Sequence, residues 1–146
     1  AEETLAGMAW LDVETECGVG YLIYMAVVEG RRGKGIGSRL FAELVRMLRA
    51  QAPQAEALLL EVEDPHHCEG PERVLAERRI AFYRRQGAQL LGGIDYLQTV
   101  PFYPEGMPML LAVLPLGDLT PERAFEMAQC LFGEAVTRAE GPLSLD

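Results

Sequence analysis

A glycine-rich, basic turn between an apolar run and an amphipathic segment constrains the fold of this chain more than any other feature. The turn reads Arg31-Arg32-Gly33-Lys34-Gly35-Ile36-Gly37-Ser38. Residues 19–28, directly before it, are continuously apolar and rich in β-branched and aromatic residues, which predicts a central strand buried on both faces. Residues 38–50, directly after it, predict a helix with one apolar stripe. The stripe consists of Leu40, Phe41, Leu44, Met47 and Leu48.

The segments on either side extend this unit. Residues 57–63 predict a second buried strand, so that strand, helix and strand form a right-handed unit with parallel strands. Residues 4–13 predict an earlier strand, joined to the central one by a hairpin turn over residues 14–18. After a polar loop, residues 71–86 predict a helix that starts at Pro71 and is capped by Gly87.

The last third of the chain predicts two more strands and a helix. The strands cover residues 88–97 and 108–116, and the residues between them, 99–107, are a proline- and aromatic-rich linker. Two roles stay open for this linker. Its aromatic residues line the acceptor side of a site, or they close the end of the sheet. Thr120 caps the final helix, with Pro121 at its first position. Its apolar stripe is Ala124, Phe125, Ala128, Leu131, Phe132 and Ala135.

Composition narrows the class of protein. The 146 residues suit one domain, residues 1–146. The net charge is −9, yet residues 31–50 carry six bases and one acid, which indicates a local anion site rather than a nucleic-acid surface. No apolar run approaches the roughly 20 residues of a membrane helix. The three cysteines are distant and odd in number, which argues against a disulfide framework and predicts a cytoplasmic protein.

The glycine-rich turn predicts a cradle for a pyrophosphate. A helix N-terminus offers unpaired N–H groups and a partial positive charge, and glycines let the backbone approach an anion closely. The P-loop pattern fails because Lys34 is followed by glycine rather than serine or threonine. The dinucleotide pattern fails because the glycines are spaced G-x-G-x-G.

Two motifs resemble the GNAT N-acetyltransferase superfamily. Arg32, Gly35 and Gly37 have the spacing of its acyl-CoA-binding motif, and Met25-Ala26-Val27 is similar to the strand end that precedes it. Residues 80–88, Ile-Ala-Phe-Tyr-Arg-Arg-Gln-Gly-Ala, resemble a second family segment on a later helix. The resemblance covers residues 19–91, and the C-terminal strands and helix occupy residues 92–140.

The resemblance implies a fold, an activity and a cofactor. The fold is α/β, a mixed twisted sheet flanked by helices, and here it lacks the strand, two helices and strand with which the family opens. Either preceding residues or a second chain, as in a homodimer, supplies those elements. The activity is transfer of an acetyl group from acetyl-CoA to a small-molecule or lysine-type amine. No metal, nucleic acid or membrane is involved.

The resemblance also implies site residues. The acetyl-CoA pyrophosphate lies on residues 32–38, which are Arg32, Gly33, Lys34, Gly35, Ile36, Gly37 and Ser38. The main-chain amide of Val27, and as a second candidate that of Val28, faces the thioester oxygen. Tyr83 is the general acid that protonates the departing thiolate. Alternatively, Tyr83 only wedges its helix onto the sheet, as Phe82 is expected to do.

The base that deprotonates the amine is assigned to Glu61. This carboxylate lies in a buried-looking strand beside the cofactor strand, where burial raises a carboxyl pKa toward neutrality. Glu63, with the same strand parity, and a histidine of the pair His66 and His67 are weaker candidates. His66, His67 and Cys68 lack the spacing of a zinc site. Two other functions stay open: a non-catalytic CoA or acyl-CoA sensor, and an interaction domain whose basic turn binds another anion.

Overall fold

The computed structural model describes residues 3–146, and over this range a mixed sheet carries helices on both faces. The helices are α1 (Ile36–Gln51), α2 (Gly70–Arg85) and α3 (Pro121–Phe132). The strands are β1 (Gly7–Glu14), β2 (Val19–Val27), β3 (Ala57–Glu63), β4 (Gln89–Gly92), β5 (Ile94–Val100), β6 (Tyr103–Pro115), β7 (Val136–Arg138) and β8 (Ser144–Leu145). The predicted α/β class with a mixed sheet is confirmed. None of the helices in the described range is long and apolar enough to cross a bilayer.

The sheet has the predicted parallel unit near its centre. β1 and β2 form an antiparallel hairpin, and β2 pairs in parallel with β3, with Val19 opposite Ala57 and Leu22 opposite Leu60. β3 pairs antiparallel with β6, which continues to β4 and then β8. The free arm of β6 pairs with β5, and β5 pairs with β7.

Two cores lie on opposite faces of the sheet, and β3 contributes to both. Leu58, Leu60 and Val62 point to the core under α1 and α2. Ala57 and Leu59 point to the core under α3. Side chains alternate across a strand, so a strand buried on both faces is apolar at consecutive positions, as β3 is over Ala57–Leu60. Glu61 therefore lies on the α3 face of the sheet.

Helix α1 begins at Ile36, two residues before the predicted start, and packs through the predicted stripe with one exception. Phe41, Leu44 and Leu48 are buried, and each such side chain stabilises the fold by about 1.5–3 kcal/mol relative to exposure. Met47 is instead exposed. Thr120 caps α3 as predicted, because its side chain accepts a hydrogen bond from the Arg123 amide.

The prediction that residues 19–28 are buried on both faces is wrong for their second half. β2 pairs with β3 only as far as Leu22, and beyond that point it turns away. Ile23 and Tyr24 are consequently 38% and 53% exposed. The apolar composition of residues 19–28 does not indicate that β2 loses its pairing with β3 halfway along its length.

The predicted strand 88–97 and linker 99–107 are also corrected. A break at Gly93 divides the strand into β4 and β5, because Gly93 has φ +83 and a Cβ there would collide with the Pro142 carbonyl. Most of the predicted linker belongs to β5 and β6, with the turn at Pro101 and Phe102. β6 carries Pro104 and Pro108 in the arm that pairs with β5 alone, where a missing N–H is tolerated.

The inference against disulfides is wrong. Cys17, in the turn before β2, is bonded to Cys130 on α3, 113 positions later, while Cys68 is free. An ion pair of 2.7 Å between Arg123 and Glu56 also holds α3 to the end of the sheet. Sequence spacing failed here because only the fold brings α3 beside the β1–β2 turn.

Candidate active site

A cleft opens where β2 and β3 part. Trp10 pairs with Tyr24 and Leu11 with Leu22, so Ile23 is an extra residue in β2, a β-bulge that bends the strand. Pairing between β2 and β3 ends at the same place. The gap holds about 140 Å³ and is lined by residues of β2, β3 and α2, among them Met25, Glu61 and Tyr83. The bulge thus opens the sheet between two parallel strands.

The glycine-rich turn leads from this cleft into α1. Gly30, Gly33 and Gly35 all have positive φ, between 75 and 88°, a region that side chains disfavour. Gly35 is the N-cap of α1, and no side chain caps the helix. The first backbone bond of the helix is from the Arg39 amide to the Gly35 carbonyl at 3.1 Å. The amides of residues 36–38 therefore have no partner within the helix.

The space in front of these amides fits an anion. A Cβ built on Gly33 or Gly35 would meet nothing within 4 Å, so no neighbouring group fills the turn. Lys34 and Arg39 are exposed beside it. The Arg32 side chain donates to the Val27 carbonyl at 3.3 Å, which ties the turn to the end of β2. The structure thus brings together residues 32–38, as the sequence predicts, around an open helix N-terminus.

Close packing between α1 and α2 borders the turn. A Cβ on Gly37 would lie 3.4 Å from the Phe82 ring, in van der Waals contact, so a side chain longer than that of alanine would meet this ring. Gln86 donates to the Ser38 hydroxyl at 3.0 Å. Phe82 packs against the α1–α2 core, as expected. Gly37 therefore lies at the contact between α1 and α2 as well as in the turn.

The two candidate amides at the end of β2 point in different directions. The Val28 amide donates to the Ala6 carbonyl at 2.7 Å, on the β1 side. Since antiparallel partners alternate, the Val27 amide points to the opposite side, toward the gap left by β3. The suggestion that Val28 donates to a thioester oxygen is thus contradicted, because its N–H is already used within the fold.

Tyr83 reaches the cleft from α2, on the opposite side of the sheet from Glu61. Its ring packs against Phe41, with the ring centroids 5.9 Å apart. Burial raises the pKa of the Tyr83 hydroxyl, and the nearby Arg79 charge opposes this more weakly. The phenol consequently stays protonated at neutral pH, which suits a proton donor.

Glu61 is the centre of a hydrogen-bonded cluster on the α3 side. Its Oε2 accepts from the Tyr96 hydroxyl at 2.7 Å and from the Gln98 amide, and its Oε1 accepts from the Tyr21 hydroxyl. Burial raises the pKa of Glu61, while the bonds from Tyr96 and Gln98 lower it less. The net rise is what a carboxylate base working near neutrality requires.

None of the three donors to Glu61 was predicted as a site residue. Tyr21 shares strand parity with Leu59 and Glu61 across the parallel pair, so its signal was present in the sequence. Tyr96 and Gln98 come from β5, which reaches Glu61 only because β6 lies between β3 and β5 in the pairing order. No local pattern marks those two residues.

A second cavity of about 460 Å³ adjoins the cleft between α2 and the β5–β6 hairpin. Glu63 and Arg79 line both spaces and form an ion pair of 2.9 Å. His67 and Cys68 line the second cavity, whereas His66 does not. Within residues 3–146 no group of three metal-ligating side chains is assembled. Neither His66 nor His67 lines the cleft that holds Glu61.

Together these features define a class: an α/β protein whose parallel strands part beside an open helix N-terminus. The sequence model of the acetyltransferase (GNAT) family matches residues 1–88, more than half of the chain. The chain belongs to this family. Among proteins with curated descriptions, none matches its sequence significantly.

Solved structures share the fold. A Bacillus subtilis acetyltransferase in complex with CoA is 17% identical, with 80% of this chain and 73% of that one covered at a TM-score of 0.54. An IAA acetyltransferase from Bacillus cereus is 20% identical, with coverages of 80% and 73% and a TM-score of 0.57. The ribosomal-protein-S18-alanine N-acetyltransferase from Escherichia coli is 20% identical, with a TM-score of 0.53. The match covers 79% of this chain and 64% of the Escherichia coli enzyme.

Proposed function

We propose that this protein is an N-acetyltransferase that moves an acetyl group from acetyl-CoA directly to a primary amine. The observation that carries the proposal is the open, uncapped N-terminus of α1, which begins beside a cleft lined by Tyr83 and Glu61. A site for a phosphate-bearing thioester and a site for proton transfer therefore lie next to each other. Family membership supports the same reaction class.

The cofactor is assigned to main-chain groups and neighbouring cations. The amides of Ile36, Gly37 and Ser38 bind the pyrophosphate, with Gly33 and Gly35 giving it room. Arg32 and Lys34 add positive charge around it. Bound acetyl-CoA supplies an acetyl thioester, and the Val27 amide stabilises negative charge on the acetyl oxygen. A preorganised donor of this kind contributes about 2.7–4 kcal/mol.

The protons move between named groups on the two faces of the sheet. Glu61 takes a proton from the acceptor ammonium, which would otherwise stay charged at neutral pH. The amine nitrogen then forms a bond to the acetyl carbon as the carbon–sulfur bond breaks. Tyr83 donates its proton to the departing thiolate, and the second proton of the attacking nitrogen returns through water to the Tyr83 phenolate. Glu61 releases the proton that it took from the ammonium to solvent.

The acceptor enters from the side of the second cavity. That cavity shares Glu63 with the cleft and also carries Asp64 and Glu72, so its charge favours a cationic amine over an anionic one. Met107 and Pro108 give it an apolar wall. These residues support an amine acceptor in general and do not select a small molecule over a lysine side chain.

The proposal is tested with purified protein, acetyl-CoA and a panel of primary amines, with thiol release and the mass of acetylated products measured. We expect turnover on at least one amine and about a 100-fold loss of kcat in Glu61→Gln. Glu77→Gln, an exposed carboxylate of α2 outside the cleft, is the matched control and should keep full activity.

Two results would contradict the proposal. Calorimetric binding of CoA without turnover on any amine would favour a sensor of acyl-CoA. Failure to bind CoA at low salt, with binding of sulfate retained, would favour an interaction domain for another anion.

A further inference from the structure

The two oxygens of Glu61 have different surroundings. Oε2 accepts from both Tyr96 and Gln98, which lie on the same face of β5. Oε1 accepts from Tyr21 alone. A carboxylate has about four acceptor positions, two on each oxygen. Oε2 is therefore saturated, and Oε1 keeps one position for a further donor.

The groups that hold Oε2 are themselves held by packing. Tyr96 is 6% exposed, and its ring centroid lies 4.9 Å from that of Phe132 on α3. The same Phe132 ring contacts Tyr21 edge-on, with centroids 5.2 Å apart. One aromatic side chain thus supports hydroxyl donors to both oxygens. A donor with a fixed ring cannot follow Glu61 if the carboxylate rotates, so the rotation is opposed.

We propose that Tyr96 and Gln98 are positioning residues that clamp Oε2 of Glu61 and leave Oε1 as the oxygen that accepts the proton of the amine. This inference rests on the base role of Glu61 given under the proposed function. Neither residue touches the reacting atoms. Both act by fixing the orientation of the carboxylate and by stabilising its charged form.

The direction of the pH effect follows from the groups that face Glu61. The hydrogen bonds from Tyr96 and Gln98 lower the pKa of Glu61 against the effect of burial. Removing either one raises that pKa, so the carboxylate becomes protonated at a higher pH. Activity that depends on the carboxylate is then lost earlier as the pH falls.

Other charged and titratable groups near Glu61 come from β2, β3 and α2. The residues that pack near Glu61 from β6 and α3 are apolar. β2 contributes Tyr21 and Tyr24, β3 contributes Glu63, and α2 contributes Arg79 and Tyr83 across the cleft. β6 contributes Leu111 opposite Glu61, and also Met109, while α3 contributes Phe132. All of these stay unchanged in Tyr96→Phe and Gln98→Leu, so a difference in titration reports the lost donor.

The experiment compares Tyr96→Phe and Gln98→Leu with Gln129→Leu. Gln129 is an exposed residue whose side chain donates a hydrogen bond to the Val136 carbonyl at 3.2 Å and does not touch Glu61, so it controls for loss of one side-chain amide hydrogen bond. Glu61 is titrated in the free protein by carboxyl carbon NMR, assigned with Glu61→Gln. The pH profile of kcat/KM is measured with one amine for all variants, so that the ionisation of the acceptor is common to them.

We expect Glu61 to titrate at higher pH in Tyr96→Phe and Gln98→Leu and unchanged in Gln129→Leu. At the acid end of the profile, kcat/KM should fall about tenfold more than on the plateau, the size expected for losing a hydrogen bond to a charged group. An unchanged Glu61 titration in both β5 variants would overturn the clamp, whatever the loss of activity. Absence of acetyl transfer by the unmodified protein, with the titration shifted as expected, would instead overturn the proposed function and support the clamp.

Discussion

The site has two walls of different construction. The first, on the α1 and α2 side of the sheet, uses main-chain groups of adjacent residues next to the cleft, whereas the second, on the α3 side, uses side chains from remote segments. On the first wall, the open amides and positive-φ glycines all lie within residues 30–38. On the second, Glu61 is joined to Tyr21, Tyr96 and Gln98, which are 35 to 40 positions away. A site made of backbone depends on local conformation, while one made of side chains depends on the whole fold.

The largest effect is expected from a substitution that disrupts the first wall alone. Gly35→Asp should abolish CoA binding, because it places a carboxylate in the anion cradle and a side chain at φ 75°. Isothermal calorimetry with CoA measures the affinity. Gly141→Asp is the matched control, since Gly141 also has positive φ and open space around it. An affinity equal to that of the control would remove the turn from the CoA site.

The next largest effect is expected from removing the disulfide beside the second wall. Replacing Cys17 and Cys130 by alanine removes a crosslink between α3 and the β1–β2 turn that spans 113 positions. We expect the free energy of unfolding to fall by about 2–4 kcal/mol, measured by urea denaturation. CoA affinity should stay the same, because the cradle lies on the other face. Cys68→Ala is the control, and an equal loss of stability in that variant would show that the crosslink contributes little.

Tyr83→Phe tests whether the first wall takes part in the chemistry as well as in binding. The ring keeps its packing against Phe41, so CoA affinity should stay within a factor of about two while kcat falls about 100-fold. Because burial raises the pKa of Tyr83, its ionisation should limit the activity of the unmodified protein only at strongly alkaline pH. Unchanged turnover in this variant would leave Tyr83 as a packing residue.

The smallest expected effect concerns the ion pair that borders both cavities. Arg79 and Glu63 are 60% and 40% exposed, so Arg79→Met should change the free energy of unfolding by less than about 1 kcal/mol. Arg73→Met, which breaks an exposed pair with Glu77 on the same helix, is the control. A much larger loss in Arg79→Met, measured by urea denaturation, would mean that this pair holds the two walls together.

The contrast between the walls explains how much of the structure the sequence alone could predict. It predicted β3 at its observed bounds and placed α1 and α2 within about two residues, because apolar periodicity and glycine or proline at helix ends are local signals. It also pointed to residues 32–38 and Glu61 as site residues, and these roles stay predictions. It missed the division at Gly93, since the cause is contact with Pro142, a segment about 50 residues later.

By itself, the sequence determined the βαβ unit, the glycine turn that opens α1 and the residue types available for proton transfer. Only the tertiary structure decided that β2 leaves β3 at Ile23, that Val27 rather than Val28 presents its amide to the gap, and that Cys17 meets Cys130. It also decided which side chains surround Glu61. The physical reason is that backbone conformation follows from neighbouring residues, whereas pairing, burial and hydrogen bonds between distant segments exist only once the sheet has assembled.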